Sequence, residues 1–203
     1  MNRSPFRPLA PLVNSAMCFA AFLALLLAAL PATAQTTYTV DPVHSSVLFK
    51  VKHLGVANFY GRFNEIGGTI AYDAANPEKS SVSLEIETGS VDTHAQGRDD
   101  HLKSADFFNA AQFPTLSFAS TSVEKTGEAT YTVRGDLTML GVTKPITLTV
   151  ERTGEGTHPR SQKPMLGFEA RGTITRSDWG MEFMNGPLSD QVELIIALET
   201  RAD

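Results

Sequence analysis

The chain has 203 residues with 17 Lys and Arg against 22 Asp and Glu, and its first 34 residues hold two of the arginines, no acid and the sole cysteine, Cys18. Taking 34 from 203 leaves 169 residues with 15 basic and 22 acidic side chains, a net charge of −7, which is one domain's worth of chain. That balance argues against nucleic acid as a partner, because phosphate binding needs concentrated Lys and Arg, and residues 35–203 have no cysteine for disulfides or thiolate chemistry.

Residues 1–34 read as a secretory signal peptide. Arg3 and Arg7 give a positive start, "AMCFAAFLALLLAAL" from Ala16 to Leu30 an apolar run, and "ATA" at Ala32–Ala34 small residues for cleavage before Gln35. The run is short for a membrane span of about 20 residues. Cys18 lies at its start instead of after it, so lipidation is not expected there. The expected organisation is a signal over 1–34 and a periplasmic domain over 35–203.

From Ser45, "SSVLFKVKHL" sets Val47, Phe49 and Val51 on one face and Lys50 and Lys52 on the other, the period of a half-buried strand. "GRFNEIGGTIAYD" continues with Phe63, Ile70 and Tyr72 as anchors, and Gly67 and Gly68 permit a bulge or bend. In "SVSLEIET", Val82, Leu84 and Ile86 alternate with Ser83, Glu85 and Glu87. The alternation then breaks at "GRDDHLKSADFFNAAQFPTLSF", where a short helix near Gln96–Lys103 is predicted, capped by Thr93 or a neighbour, with Arg98 and Asp99 in structural polar contacts.

"TLSFASTSVEK" and "ATYTVRGDLTM" read as a hairpin with Tyr131, Val133 and Leu137 on one parity. "KPITLTVER" adds Ile146, Leu148 and Val150; "LGFEARGTITR" adds Leu166, Phe168, Ala170 and Ile174; "DQVELIIALET" adds Val192, Leu194, Ile196 and Leu198. "RTGEGTHPRSQKPM" is expected as a surface loop. Roughly eight strands with one helix predict an all-β antiparallel barrel or sandwich. A barrel is favoured because a single helix cannot cover a sheet and closure removes exposed edges. About eight strands also enclose room for a small ligand.

Catalytic and metal signals are weak. His94, Asp99, Asp100 and His101 are close in sequence, but the seven-residue step between the histidines has a Gly inside it and is no zinc spacing. His44 and Ser45 are neighbours that a strand would point to opposite faces, and no Gly-x-Ser-x-Gly turn exposes a nucleophile, so His44 reads as structural. "RGD" at Arg134–Asp136 falls within a predicted strand. What remains is apolar: Phe107, Phe108, Phe113 and Phe118 in the interruption, and Trp179, Met181, Phe183 and Met184 in a segment jointed by Gly180, Gly186 and Pro187. Aromatic and Met side chains on such a segment suit an adaptable cover over an apolar cavity.

The ordered blocks "YTVDPVHSSVLFKVKHLG", "GRFNEIGGTIAYD", "RDDHLKSADFFNAAQFPTLSF", "VRGDLTMLGVTKPITLTV", "GFEARGTITRSDWGM" and "LSDQVELIIALE" resemble the YceI-like proteins, a periplasmic lipocalin-like group associated with polyisoprenoid binding. The family usually has Trp at the position of Tyr38 and often Phe at that of Trp179, and both exchanges keep an aromatic. The resemblance implies an eight-stranded antiparallel lipocalin-like barrel around a long apolar tunnel, with the helical insertion near one mouth. Arg98, Asp99 and His101 would tie that insertion to the wall while Phe107 and Phe108 face the lumen.

It also implies a bound isoprenoid of the quinone or polyprenyl type, or another long amphiphile, and it brings no catalytic residue, metal or other cofactor. Parity then assigns Phe49, Val51, Phe63, Leu84 and Ile86 to the lumen, with Phe118, Leu137, Leu148, Phe168 and Leu194, and the Gly-jointed segment puts Trp179, Met181 and Phe183 at the mouth. The expected function is that of a carrier, with room for transient contact with a membrane or membrane-protein donor and acceptor and for a homodimer. Two alternatives stay open: an interaction protein whose barrel is a scaffold, and a lipid-modifying enzyme using His101 with Asp99.

Overall fold

The computed structural model describes Met1 and residues 35–203; the expected signal peptide lies outside the described residues. Eleven strand segments build one sheet: β1 Thr36–Val40, β2 Ser46–His53, β3 Ala57–Phe63, β4 Ile66–Tyr72, β5 Ser81–Glu87, β6 Val91–Asp92, β7 Thr115–Lys125, β8 Thr130–Met139, β9 Val142–Thr157, β10 Pro164–Thr175 and β11 Gln191–Ala202. The single α-helix among the described residues, α1, spans Gln96–Lys103 as the sequence predicts.

Eleven segments make eight strands because three strands bend. β1 pairs with the end of β11 (Val40↔Thr200) and β2 with its start (Leu194↔Phe49), so the two are one broken strand. β3 and β4 pair with β2 and β1 in turn, and β5 and β6 pair with β4 and β3. The β1–β11 ladder closes the antiparallel barrel. Within β4, just past the β3–β4 break, Gly68 has a φ of +141° that suits only glycine, and a Cβ there would strike the Ser83 carbonyl.

The inward parity is the predicted one. Val47 and Phe49, Leu84 and Ile86, Val133 and Leu137, Phe168 and Ala170, and Ile196 and Leu198 are all buried. The expected loop at 152–165 is instead the far ends of β9 and β10, paired from Thr157↔Pro164 inward and joined by a turn at 158–163. Gly154 and Gly156 erase the side-chain alternation there without removing any ladder donor, so the strand continues unmarked. "RGD" lies in β8, as expected.

All turns at one end of the barrel bear on the site. They are the β2–β3 hairpin, the insertion between β6 and β7, the β8–β9 hairpin and residues 176–190 between β10 and β11. The insertion is anchored by Thr88, fully buried, whose hydroxyl donates to the Phe113 carbonyl (2.8 Å) and whose N–H donates to the Pro114 carbonyl (2.8 Å). The β9–β10 ladder stops at Thr149↔Arg171, and the 3-10 turn Arg176–Trp179 packs against β9 beyond it.

Candidate functional site

The barrel encloses a cavity of about 370 Å³ toward this end, within the range of about 300–1,000 Å³ of small-molecule sites. Its wall is apolar except for His53, Asn58, Arg98 and Arg176. A second cavity of about 60 Å³ lies toward the opposite end. Leu84, Phe118, Leu148 and Ile196 line both and form a waist between them.

Two glycines keep the bore open. Gly61 pairs with Phe49 across β2 and β3, and a Cβ on Gly61 would overlap the Phe49 ring. Gly135 leaves the same room for the Phe118 ring from the adjacent strand. Each ring therefore lies across its neighbour's bare backbone. Phe49, Phe63 and Phe108 then pack in series, with ring centroids 5.8 and 5.3 Å apart.

Of the residues expected in the lumen, Phe49, Val51, Phe63, Leu84, Ile86, Phe107, Phe108, Phe118, Leu137, Leu148, Met181 and Leu194 line the larger cavity. The other three lie outside the larger cavity. Phe168 belongs to the smaller cavity, where its ring meets Tyr72 at 6.2 Å. Trp179 is not at the mouth: it is buried in the wall and its indole N–H donates to the Leu137 carbonyl (3.1 Å), because an indole taken out of water needs an acceptor. Phe183 lies outside the cavity, 40% exposed, against Phe107 (5.4 Å) and His101 (5.2 Å).

The insertion also differs in detail. α1 starts at an Ala95 cap with no side-chain cap bond, and its only buried residue is Asp99. Thr93 reaches into the helix instead: Asp99 Oδ1 accepts from its N–H (2.9 Å) and its hydroxyl, while Arg98 donates to the Thr93 hydroxyl and carbonyl. Arg98 stacks 4.4 Å over the Phe59 ring of β3, which ties the helix to the wall. His101 pairs with Asp106 at 2.8 Å, so Asp99 and His101 have separate partners and the acid–base pair of the enzyme alternative is not assembled. The apolar cover is supplied after the helix, by Phe107 and Phe108, together with Leu102.

His44, read as structural, is exposed. It lies 3.2 Å from Asp41 and 3.6 Å from Glu199, and the hydrogen bond with Asp41 raises its pKa above the ordinary value. Among the described residues these three form the one set of His, Asp or Glu with ligand atoms within 4.8 Å of one another.

Nothing in the sequence marks Arg176 beyond its parity: Ile174 faces inward, and the residue two positions on continues that face. It is only 3% exposed. Its Nε donates to the Ser189 carbonyl (3.2 Å) and Nη1 to those of Met181 and Phe183 (2.8 Å each), pinning residues 181–189 from within. Burial lowers its pKa, and nearby Asp190 opposes that shift. The Asp190 carboxylate itself accepts from the Ser177 N–H and hydroxyl, which hold its pKa below the usual range.

At the far end Tyr72 and Tyr131 share a hydrogen bond between hydroxyls, 3.1 Å. Burial, followed by that bond, pushes the Tyr72 pKa up to about 12. The closed bore can therefore take an extended apolar chain from the open end, and the polar groups near that end can meet a head group.

The family model for the YceI-like domain matches residues 38–200. The chain belongs to the YceI-like family. Protein YceI of Escherichia coli O157:H7 is 44% identical over 156 residues, covering 77% of this chain and 81% of the relative. A crystal structure of the YCEI protein of Campylobacter jejuni superposes with a TM-score of 0.68 at 33% identity, over 75% of this chain and 90% of the other. A polyisoprenoid binding domain from Saccharophagus degradans, implicated in plant cell wall breakdown, shares the fold with a TM-score of 0.61 at 17% identity, over 83% of this chain and all of that one. The matched span, residues 38–200, takes in part or all of every strand of the barrel and the insertion between β6 and β7.

Proposed function

We propose that this YceI-like protein is a periplasmic carrier that holds a long apolar chain, of the isoprenoid quinone or polyprenyl type, in the barrel lumen. The observation that carries the reading is the cavity of about 370 Å³ with an almost wholly apolar wall, extended past the waist by a second apolar chamber. A well-packed interior leaves few voids larger than a water molecule, so a bore held open by Gly61 and Gly135 is a built feature. The described polyisoprenoid binding of the Saccharophagus degradans domain supports the same ligand class. Leu54 and Val56 at the β2–β3 turn, with Phe183 and Met184 of the 176–190 segment, leave an exposed apolar rim at the end where cargo enters. Leu54 N–H donates to the Pro187 carbonyl (2.6 Å), so the two sides of that rim are continuous. Such a rim fits transfer from a membrane or a membrane-protein donor.

The direct test is native mass spectrometry of the protein purified from periplasm, with solvent extraction and identification of anything released. A stoichiometric isoprenoid is the expected result. Recovery of the protein empty, and its failure to take up quinone or polyprenol afterwards, would remove the reading.

A further inference from the structure

We infer that Arg176 seats an anionic head group, a carboxylate or phosphate joined to the apolar chain in the lumen; the inference rests on the carrier reading above. A guanidinium has five N–H donors. Three bonds to the carbonyls of Ser189, Met181 and Phe183 use Nε and both hydrogens of Nη1. Nη2, equally buried, has no partner, and the residue forms part of the cavity wall.

The charge lacks a close counterion as well. No carboxylate among the described residues lies within salt-bridge distance of Arg176, and Asp190 spends its oxygens on Ser177. The other basic groups on the wall differ: Arg98 is exposed and committed to Thr93 and the Phe59 ring, and His53 is exposed. Arg176 is therefore the one fixed, buried positive charge among the residues lining this largely apolar wall. A buried cation is stabilised by an anion that brings its own acceptor oxygens, more than by a neutral carbonyl or hydroxyl. The three carbonyl bonds hold the guanidinium still, so an anion admitted by a small shift of the groups packed over Nη2 meets a donor already in place. A ligand with its anion at Arg176 and its chain running inward past the waist satisfies both the unpaired donor and the apolar wall.

The experiment loads the purified protein with geranylgeranoic acid labelled with carbon-13 at the carboxyl and follows the carboxyl resonance with pH. Beside Arg176 the bound acid should stay ionised to below about pH 4, whereas an apolar wall alone would raise its pKa above about 5. In parallel, affinities are compared for the acid, geranylgeranyl phosphate and the neutral geranylgeraniol. The anions should bind at least about tenfold tighter than the alcohol. Arg176→Gln should erase that preference while still taking up the alcohol, and Arg176→Lys should keep part of it. Tighter binding of the phosphate or of the carboxylate identifies which anion the site prefers.

Because Arg176 also braces residues 181–189, the labelled-carboxyl titration on the unaltered protein decides the matter if the variants fail to fold. A raised carboxyl pKa, or equal affinity for acid and alcohol, overturns the inference and leaves the carrier reading standing. Failure of all three molecules to enter overturns the carrier reading, and the inference with it.

Discussion

Phe49 and Gly61 face each other on β2 and β3, and the missing Cβ is what lets the ring lie against the wall. Gly61→Ala should press that ring into the bore, costing about 1–3 kcal/mol by overpacking and shortening the longest chain accommodated. Urea unfolding and a chain-length binding series would register both effects, and Phe49→Leu in the same protein should restore much of each. Trp179→Phe should lose about 1–2 kcal/mol by removing the indole bond to the Leu137 carbonyl, with ligand uptake nearly unchanged because the residue does not line the bore. A large loss of uptake at unchanged stability would return Trp179 to the mouth. Parity made most lumenal residues legible, since strand side chains alternate strictly. Parity gives the face and not the depth, so it could not separate Phe168 from the larger cavity or place Trp179 and Phe183, which lie outside the strands. Arg176 was hidden for a different reason: a charged residue after "GTIT" reads as solvent-facing, and only the loop carbonyls supplied by Met181, Phe183 and Ser189 allow it inside.

The insertion between β6 and β7 owes its position less to its helix than to its ends. α1 buries only Asp99, while Thr88, Phe107 and Phe108 dock the segment. Thr88→Val keeps the shape and removes the hydroxyl bond to the Phe113 carbonyl, a loss of about 1–3 kcal/mol for a buried acceptor left unpaired. Hydrogen exchange should then speed up across residues 104–114 and stay slow in β10 and β11; uniform acceleration throughout the barrel would show that the insertion does not open separately. The sequence marked this element clearly, helix bounds included, because the break in alternation is abrupt. Two hairpins at the same end were less visible. The β2–β3 and β8–β9 turns place Leu54-Gly55 and Leu140-Gly141 at positive φ, where Asn-Gly or Asp-Gly is the usual signal. The 152–165 hairpin is not legible in the sequence because its glycines leave no apolar face to count.

At the scale of the barrel, the bore narrows at the waist and ends near the Tyr72–Tyr131 pair. The raised Tyr72 pKa means that the folded state favours the neutral phenol. That contribution is complete below pH 10 and is lost as pH rises through about 12. Tyrosinate absorbance should therefore show a step near pH 12 that Tyr72→Phe removes, and the fold should weaken across the same interval; complete ionisation of all tyrosines near pH 10 with the fold intact would contradict this. Strand number, antiparallel order and closure were legible from the alternation and the shortage of helices. The division of the lumen into two chambers was not, because it depends on how Leu84, Phe118, Leu148 and Ile196 from four different strands meet across the bore. The measurement that bears most directly on the carrier account is the affinity of the ligand-free protein for isoprenoid alcohols of increasing length. Burying apolar area stabilises by about 0.8 kcal/mol per CH2 before ordering costs, so affinity should rise with each isoprene unit until the bore is full and then level off, with Leu148→Asp at the waist bringing the plateau to shorter chains. Weak affinity independent of length, or a length dependence that Leu148→Asp leaves intact in a folded protein, would contradict the account.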